Sequence, residues 1–156
     1  MSASRNQQKK RKLYALSRAA EKWNELKRCS EEERKQALNR QVLSFHIDAL
    51  GAGWEYIHFE LDGNTVASFR VSYIGPGVDA FADELAGLKE EDCGEIVFCD
   101  EPGEYFLFFA RKKDVFYIEF PFRKKGIFQE YSVFLGQVRK EIREHYGGLR
   151  LAAGSA

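Results

Sequence analysis

Four side chains capable of acid–base or metal chemistry lie on two neighbouring segments: His46 and Asp48 on the first, His58 and Glu60 on the second. Apolar and polar residues alternate in both segments, which predicts two strands, and the turn at Gly51-Ala52-Gly53 places His46 opposite His58. Two imidazoles and two carboxylates could hold a transition metal or act as general acid and base. The same residue types are equally typical of the solvent-facing side of an antiparallel sheet. We therefore assign no catalytic residue and no cofactor, and keep His46 and His58 as the candidate metal ligands.

A second candidate is an acidic run that spans two predicted loops and the strand between them, called here the acidic surface. Its members are Glu90, Glu91, Asp92, Glu95, Asp100, Glu101 and Glu104. The run lacks the ligand spacing of a calcium loop, and no phosphate-binding glycine loop accompanies it. A charged run often only keeps a surface soluble. The alternative is a negative patch that binds a cationic protein, such as the nucleic-acid groove of a nuclease.

The N-terminal segment carries the opposite charge. Residues 1–41 contain twelve Lys/Arg and five Asp/Glu, a net charge of +7, whereas residues 42–156 contain twelve and nineteen, a net charge of −7. Lysine and arginine neutralise phosphates, so this segment supplies candidate nucleic-acid contacts. These are Lys9, Lys10, Arg11 and Lys12. No helix-turn-helix pattern or aromatic stacking platform accompanies them. Their side chains could instead face residues 42–156, which carry the net negative charge.

The fourth candidate is an apolar face on the later strands, formed by Tyr105, Leu107, Phe109 and Tyr117. Both predicted faces of these strands are apolar, whereas strands of a sheet with one solvent-exposed face alternate apolar and polar residues. This half of the sheet is therefore either covered on both sides or binds a partner, including a second copy of the chain. The helix that contains Trp23 is an available cover.

These candidates depend on a sheet to position them. Alternation with period two predicts three strands between Leu43 and Tyr73, with Phe45 opposite Phe59 and Ile57 opposite Phe69. Three more strands are expected at about 95–99, 104–111 and 115–122. A loop at Lys112-Lys113-Asp114 separates the last two of these strands. With this loop, one face of the two strands carries Phe106, Phe108, Ile118 and Phe120, and the other is the apolar candidate face described above.

Four helices complete the prediction. The first has one apolar stripe with spacing of three and four residues, made of Leu13, Leu16, Ala20, Trp23 and Leu26. The second begins at Ser30, whose hydroxyl and Glu33 have the spacing of a capping box. A short helix from Val78 to Leu88 should cross the apolar face of the first three strands. A final helix from about Gln129 to Tyr146 should end at Gly147-Gly148.

The expected fold class is therefore α+β: an antiparallel meander of about six strands, a helix between strands three and four, a C-terminal helix packed on the sheet, and an N-terminal helical hairpin. Residues 1–41 would be a basic helical extension, 42–148 the α+β domain and 149–156 a flexible tail. No apolar run approaches the roughly 20 residues of a membrane span. Cys29, Cys93 and Cys99 are an odd set without metal-ligand spacing, which indicates reduced thiols and a cytoplasmic location.

Residues 45–146 contain the runs VSYIGPGVDAFADELAGL and CDEPGEYFLFFARKKDVFYIEF. With their Gly/Pro turn, short helix and D-E-P-G-E-Y hairpin, they resemble a group of small, poorly characterised bacterial cytosolic α+β proteins. Some proteins of this general kind are immunity proteins, which neutralise toxins delivered between competing bacteria. The resemblance rests on turn and core residues and therefore concerns fold more than function.

The sequence favours a binding role over an enzymatic one. The leading hypothesis is an immunity or inhibitor protein whose acidic surface neutralises a cationic, nuclease-like toxin. The alternative is a nucleic-acid-associated protein that uses the basic N-terminal helices.

Overall fold

A computed structural model describes residues 5–51, 54–72, 78–100, 103–121 and 126–154. The helices are α1 (Arg5–Arg28), α2 (Glu31–Gln36), α3 (Val78–Ala86) and α4 (Tyr131–Gly154). The strands are β1 (Leu43–Gly51), β2 (Trp54–Leu61), β3 (Asn64–Ser72), β4 (Glu91–Asp100), β5 (Gly103–Lys112), β6 (Val115–Glu119) and β7 (Ile127–Glu130).

The strands form two antiparallel sheets, one with three strands in the order β1-β2-β3 and one with four in the order β4-β5-β6-β7. The predicted α+β class is confirmed, but the single six-stranded meander is wrong. The sequence pattern predicts no strand at β7, and the last two residues of β7 fall in the predicted final helix. Four residues are too few for an alternating pattern to stand out.

The chain folds into two compact units. One comprises residues 1–40, 88–97 and 106–131, and the other comprises residues 41–87, 98–105 and 132–156. The predicted N-terminal extension thus belongs to the same unit as β6 and β7.

The three-stranded sheet has the predicted register. Phe45 pairs with Phe59, and Ile57 pairs with Phe69. Helix α3 packs on the apolar face as expected, since the ring of Phe81 lies 5.2 Å from that of Phe45 and 6.1 Å from that of Phe59. All five aromatic and aliphatic side chains are buried and form the core of this unit.

The turn between β2 and β3 is one residue shorter than the three-residue loop Asp62-Gly63-Asn64 that the sequence pattern predicts. Asp62 and Gly63 form a two-residue turn with φ of 50° and 83°, the positive values that Asp and Gly adopt in type I′ hairpins. A register shift between Phe59 and Glu60 adds one residue to β3, so the buried faces still coincide. Ala52 and Gly53 of the first predicted turn lie outside the described residues.

Helix α4 protects the outer edge of β1. The Phe45 N–H donates to Gln137 Oε1 and the Gln137 Nε2 donates to the Phe45 carbonyl, both at 2.7 Å. The Ile47 N–H donates to Glu141 Oε1 at 3.0 Å. One helical turn separates Gln137 from Glu141, and this spacing matches backbone groups two residues apart on the strand. These three backbone groups of the edge are thereby satisfied and closed to other strands.

The register of β5 and β6 differs by one residue from the prediction. Ala110 pairs with Tyr117 and Phe108 with Glu119, across a two-residue turn at Lys113-Asp114 rather than a three-residue loop. A slip of one residue moves every side chain to the other face. Phe108 therefore shares a face with Tyr117, and Phe109 shares the opposite face with Ile118, contrary to the predicted assignment.

Helix α1 buries only the C-terminal part of the predicted stripe, with Leu26 buried and Trp23 half-buried, and uses two alanines in place of its N-terminal leucines. Ala15, Ala19 and Leu26 are buried, whereas Leu13 and Leu16 are 56% and 47% exposed. Ala15 and Ala19 pack against Phe108. Small side chains let the helix backbone come close to the strands, so the larger leucines point away from the sheet.

Two helix termini show how well local signals predict boundaries. The capping box is confirmed: Glu33 N–H donates to Ser30 Oγ, and Ser30 N–H donates to Glu33 Oε1, both at 3.2 Å. The predicted end of the last helix at Gly147-Gly148 is wrong, because α4 continues to Gly154. The residues that follow the glycines are Leu, Arg and Ala, which are strong helix formers.

Candidate functional site

The histidine cluster lies on the face of β1 and β2 that points away from the core. His46 and His58 are paired across the strands and their rings stack, with centroids 5.1 Å apart and planes at 24°. Glu60 reaches both imidazoles: its Oε2 lies 3.2 Å from His46 Nε2 and its Oε1 lies 3.3 Å from His58 Nε2. Asp48 Oδ2 lies 3.5 Å from His58 Nδ1. The sequence correctly predicted that these four side chains come together.

The chemistry open to this cluster is limited by which nitrogen each partner contacts. Ser44 Oγ lies 2.8 Å from His46 Nε2, the same nitrogen that faces Glu60. A Ser-His-acid triad requires the hydroxyl and the carboxylate on opposite ring nitrogens, so this arrangement is not a triad. Within the described residues, no group of three or more His, Cys, Asp or Glu side chains is arranged to hold a metal ion. The carboxylate of Glu60 instead bridges two imidazoles, as a cross-strand polar contact does.

The described members of the acidic surface lie in the segment before β4 and along the first half of that strand, which forms one edge of its sheet. Glu90, Glu91 and Glu95 are exposed and Asp92 is half-buried. Lysines of the same chain contact two of the carboxylates: Lys112 Nζ lies 3.3 Å from Glu91 Oε1, and Lys12 Nζ lies 3.9 Å from Glu95 Oε2. The side chains of Asp100, Glu101 and Glu104 lie outside the described part of the chain.

The four candidate nucleic-acid contacts of the N-terminal segment differ in their surroundings. Lys9, Lys10 and Arg11 are exposed on α1. Lys12, besides its contact with the acidic surface, lies over the ring of Phe106 with Nζ 3.8 Å from the centroid. The open possibility that basic side chains face the acidic body is thus realised for Lys12, which leaves three of the four candidate nucleic-acid contacts at the surface.

The apolar candidate face is mostly interior. Leu107, Phe109 and Tyr117 are buried, and Tyr105 is half-buried with its ring stacked on Phe69 at 4.6 Å between centroids. Because of the register described above, Tyr117 lies on the face opposite Phe109. Side chains of the chain itself cover Tyr117: it packs with Leu26, Ala110 and Val115, and Trp23 lies against this group as the sequence suggested. A partner could not reach these three buried side chains without a rearrangement.

The structure contains a buried polar contact between α1 and β6 that the sequence analysis does not predict. Arg18 Nη1 lies 3.1 Å from Glu119 Oε1, and the Glu119 side chain is fully buried. The Tyr117 hydroxyl donates to Glu119 Oε2. Burial, followed by the Glu119 carboxylate, raises the pKa of Tyr117 well above its ordinary value. The available signal was one glutamate in the otherwise apolar run VFYIEF, because a buried charge needs a cation nearby.

The thiols have ordinary surroundings. Cys29 and Cys93 are free cysteines, the first half-buried and the second exposed. Burial and the Asp92 carboxylate raise the pKa of Cys93, which Lys27 lowers by a smaller amount. A raised pKa leaves less thiolate at neutral pH, so Cys93 is not an activated nucleophile.

No protein-family model, curated protein or solved structure matches the chain. None of the helices in the described part of the chain has both the length and the apolar character needed to cross a membrane.

Proposed function

We propose that the protein is a binding module whose acidic surface docks on a cationic protein, most concretely as an immunity or inhibitor protein that occludes the nucleic-acid groove of a toxin. The observation that supports this proposal is the position of the described carboxylates. Glu90, Glu91 and Glu95 are all exposed, and they lie just before and in the first half of the edge strand β4.

The charge of this surface is only partly balanced by the chain. Lys112 and Lys12 contact Glu91 and Glu95, but the side chain of Glu90 has no hydrogen bond or ion pair with a described residue. The Lys12 pair is long, at 3.9 Å, and both side chains are more than a third exposed, so a stronger cation could displace the lysine at small cost. Complementary charge of this kind speeds association and selects partners more than it adds affinity.

The proposal is tested by capturing the partner and then removing the charge. The full chain carrying an affinity tag is used to recover proteins from its host, and the affinity of the recovered cationic protein is measured by calorimetry. The variant Glu90→Gln/Glu91→Gln/Glu95→Gln should bind at least about tenfold more weakly, a loss of about 1.4 kcal/mol.

A control variant removes the same number of charges elsewhere, with Glu21→Gln/Glu32→Gln/Glu144→Gln at exposed positions. It should bind like the unmodified chain. The proposal fails if no cationic protein is recovered, or if the two variants weaken binding equally.

A second candidate function is nucleic-acid binding through α1. It is favoured by an exposed aromatic side chain beside the basic residues: Tyr14 is 65% exposed, next to the exposed Lys9, Lys10 and Arg11. Aromatic rings and cations together are the elements of single-strand binding. Deleting residues 1–40 would remove Leu26 from the core, so point variants are the better test.

The variant Lys9→Gln/Lys10→Gln/Arg11→Gln should lose salt-sensitive retardation of a single-stranded oligonucleotide in a gel-shift titration. Retardation that is unchanged in this variant, or absent from the unmodified chain, would rule out this second function.

A further inference from the structure

A cleft of about 290 Å³ opens between α2 and the turn that joins β5 to β6. Its lining includes Arg34, Leu38 and Val115 together with charged side chains from α2, from the β5–β6 turn region and from the end of β7. These charged side chains are Glu31, Lys35, Lys112, Lys113, Asp114 and Glu130. The volume is at the small end for a ligand pocket.

Arg34 is the unusual member of this lining. It is only 5% exposed, and its Nη1 donates to the Cys29 carbonyl at 2.7 Å. Among the described residues, no carboxylate forms an ion pair with it and no other side-chain hydrogen bond is made by its guanidinium. A guanidinium has five N–H donors, so most of its hydrogen-bonding capacity is unused.

Burial of a positive charge beside one neutral carbonyl is costly, because a carbonyl is not a counter-charge. The carboxylate that α2 itself contributes to the lining does not serve this purpose. Glu31 contacts Lys35, with Oε1 3.5 Å from Nζ, and both side chains are about two-thirds exposed. A negatively charged group that enters the cleft would supply the missing partner.

The lining also indicates which anion fits. It contains four cationic and three carboxylate side chains, a net charge of +1. One negative charge balances this, as a carboxylate provides, whereas a phosphate dianion would leave an excess. The planar fork of Arg34 matches the two oxygens of a carboxylate. Leu38 and Val115 offer apolar contact for the remainder of the ligand.

We propose that this cleft is a binding site for a small carboxylate with an apolar body, in which Arg34 binds the carboxylate and Leu38 and Val115 contact the apolar part. Lys112 lines this cleft and also contacts Glu91 of the acidic surface, but the test described below uses no protein partner, so its outcome is distinguishable from that of the partner experiments.

Benzoate is a suitable probe, and benzamide is its uncharged counterpart of the same shape. Each is titrated into the ¹⁵N-labelled full chain, and the side-chain Nε–Hε signal of Arg34 is followed by NMR. Benzoate should shift this signal saturably with millimolar affinity, and benzamide should bind at least about tenfold more weakly because it lacks the charge.

Variants locate the site. Arg34→Gln should weaken benzoate binding by at least about tenfold, whereas Arg28→Gln, an exposed arginine outside the cleft, should leave it unchanged. The proposal is overturned if benzoate and benzamide bind alike, if Arg34→Gln binds benzoate as the unmodified chain does, or if inorganic phosphate saturates the Arg34 signal and benzoate does not. Should Arg34→Gln fail to fold, the comparison of the two probes on the unmodified chain decides.

Discussion

Replacing Arg18 with methionine is expected to lower the free energy of unfolding by about 3 kcal/mol. Arg18 Nη1 lies 3.1 Å from Glu119 Oε1, with side-chain exposures of 18% for the arginine and 0% for the glutamate. Methionine keeps the apolar stem but leaves a fully buried carboxylate without its cation. Losing one partner of a buried pair costs about 3–5 kcal/mol, and the hydroxyl of Tyr117, which still donates to Glu119, keeps the loss near the lower limit.

Removing both charges should restore most of this stability. The double variant Arg18→Met/Glu119→Leu has no buried charge, and such replacements are often neutral or stabilising. One cost remains, because the Tyr117 hydroxyl has lost its glutamate acceptor. Loss of this hydrogen bond should lower the free energy of unfolding by about 1–2 kcal/mol. The double variant should therefore be more stable than Arg18→Met by at least about 1 kcal/mol.

Urea unfolding followed by circular dichroism measures both effects. With a slope of about 2 kcal/mol per molar urea, a loss of 3 kcal/mol lowers the midpoint by about 1.5 M. Arg28→Met is the control, since Arg28 is exposed on the same helix, and it should cost less than about 0.5 kcal/mol. The reasoning is refuted if Arg18→Met costs no more than Arg28→Met, or if the double variant is less stable than Arg18→Met.

Three further outcomes are expected from unfolding measurements. The first concerns the free energy of unfolding of the unmodified chain relative to that of Tyr117→Phe. This difference should be constant below about pH 10 and fall above it by about 1.4 kcal/mol per pH unit. The reason is that Tyr117 in the unfolded chain loses its proton near its ordinary pKa of 10.0, whereas in the folded chain it keeps it. A difference that rises above pH 10 would contradict this. Gln137→Ala removes both hydrogen bonds to Phe45 and should cost about 1–3 kcal/mol, against less than about 0.5 kcal/mol for the exposed Arg139→Ala; equal losses would contradict the role in edge protection. Gly126→Ala places a Cβ against the ring of Tyr117 and should lower stability by about 1–3 kcal/mol, so an unchanged urea midpoint would be inconsistent with this packing.

The three-stranded sheet was predictable because only one of its faces is buried. Phe45, Ile57 and Phe59 must point to the core together, and this requirement fixes the register even where the turn is one residue shorter than predicted. The register shift near Phe59 compensates for the shorter Asp62-Gly63 turn, a compensation that the hydrophobic pattern already demanded.

The four-stranded sheet was less predictable because β6 is buried on both faces. All five residues of Val115–Glu119 are buried, so alternation carries no information about which side faces which partner. The register then depended on the turn alone, where Lys113 adopts a φ of 52° that its side-chain type does not suggest. An error of one residue followed, and it placed Phe109 and Tyr117 on one face.

The candidate sites also differ in how far the sequence predicts them, because some follow from strand register and others depend on contacts between separate elements. His46 opposite His58, with Glu60 nearby, follows from register, and the structure adds that Glu60 contacts both imidazoles. The glutamate in the apolar run at β6 indicates that a cation must lie nearby, but its pairing with Arg18 joins segments far apart in the sequence, which no local pattern encodes.

The salt dependence of association tests the proposed docking surface most directly. The association rate constant of the full chain with its captured cationic partner is measured by stopped flow at increasing ionic strength. The rate should fall steeply with salt for the unmodified chain and much less for Glu90→Gln/Glu91→Gln/Glu95→Gln, because these carboxylates would steer the encounter. A rate that is independent of salt, or equally dependent in both chains, would contradict binding through the acidic surface.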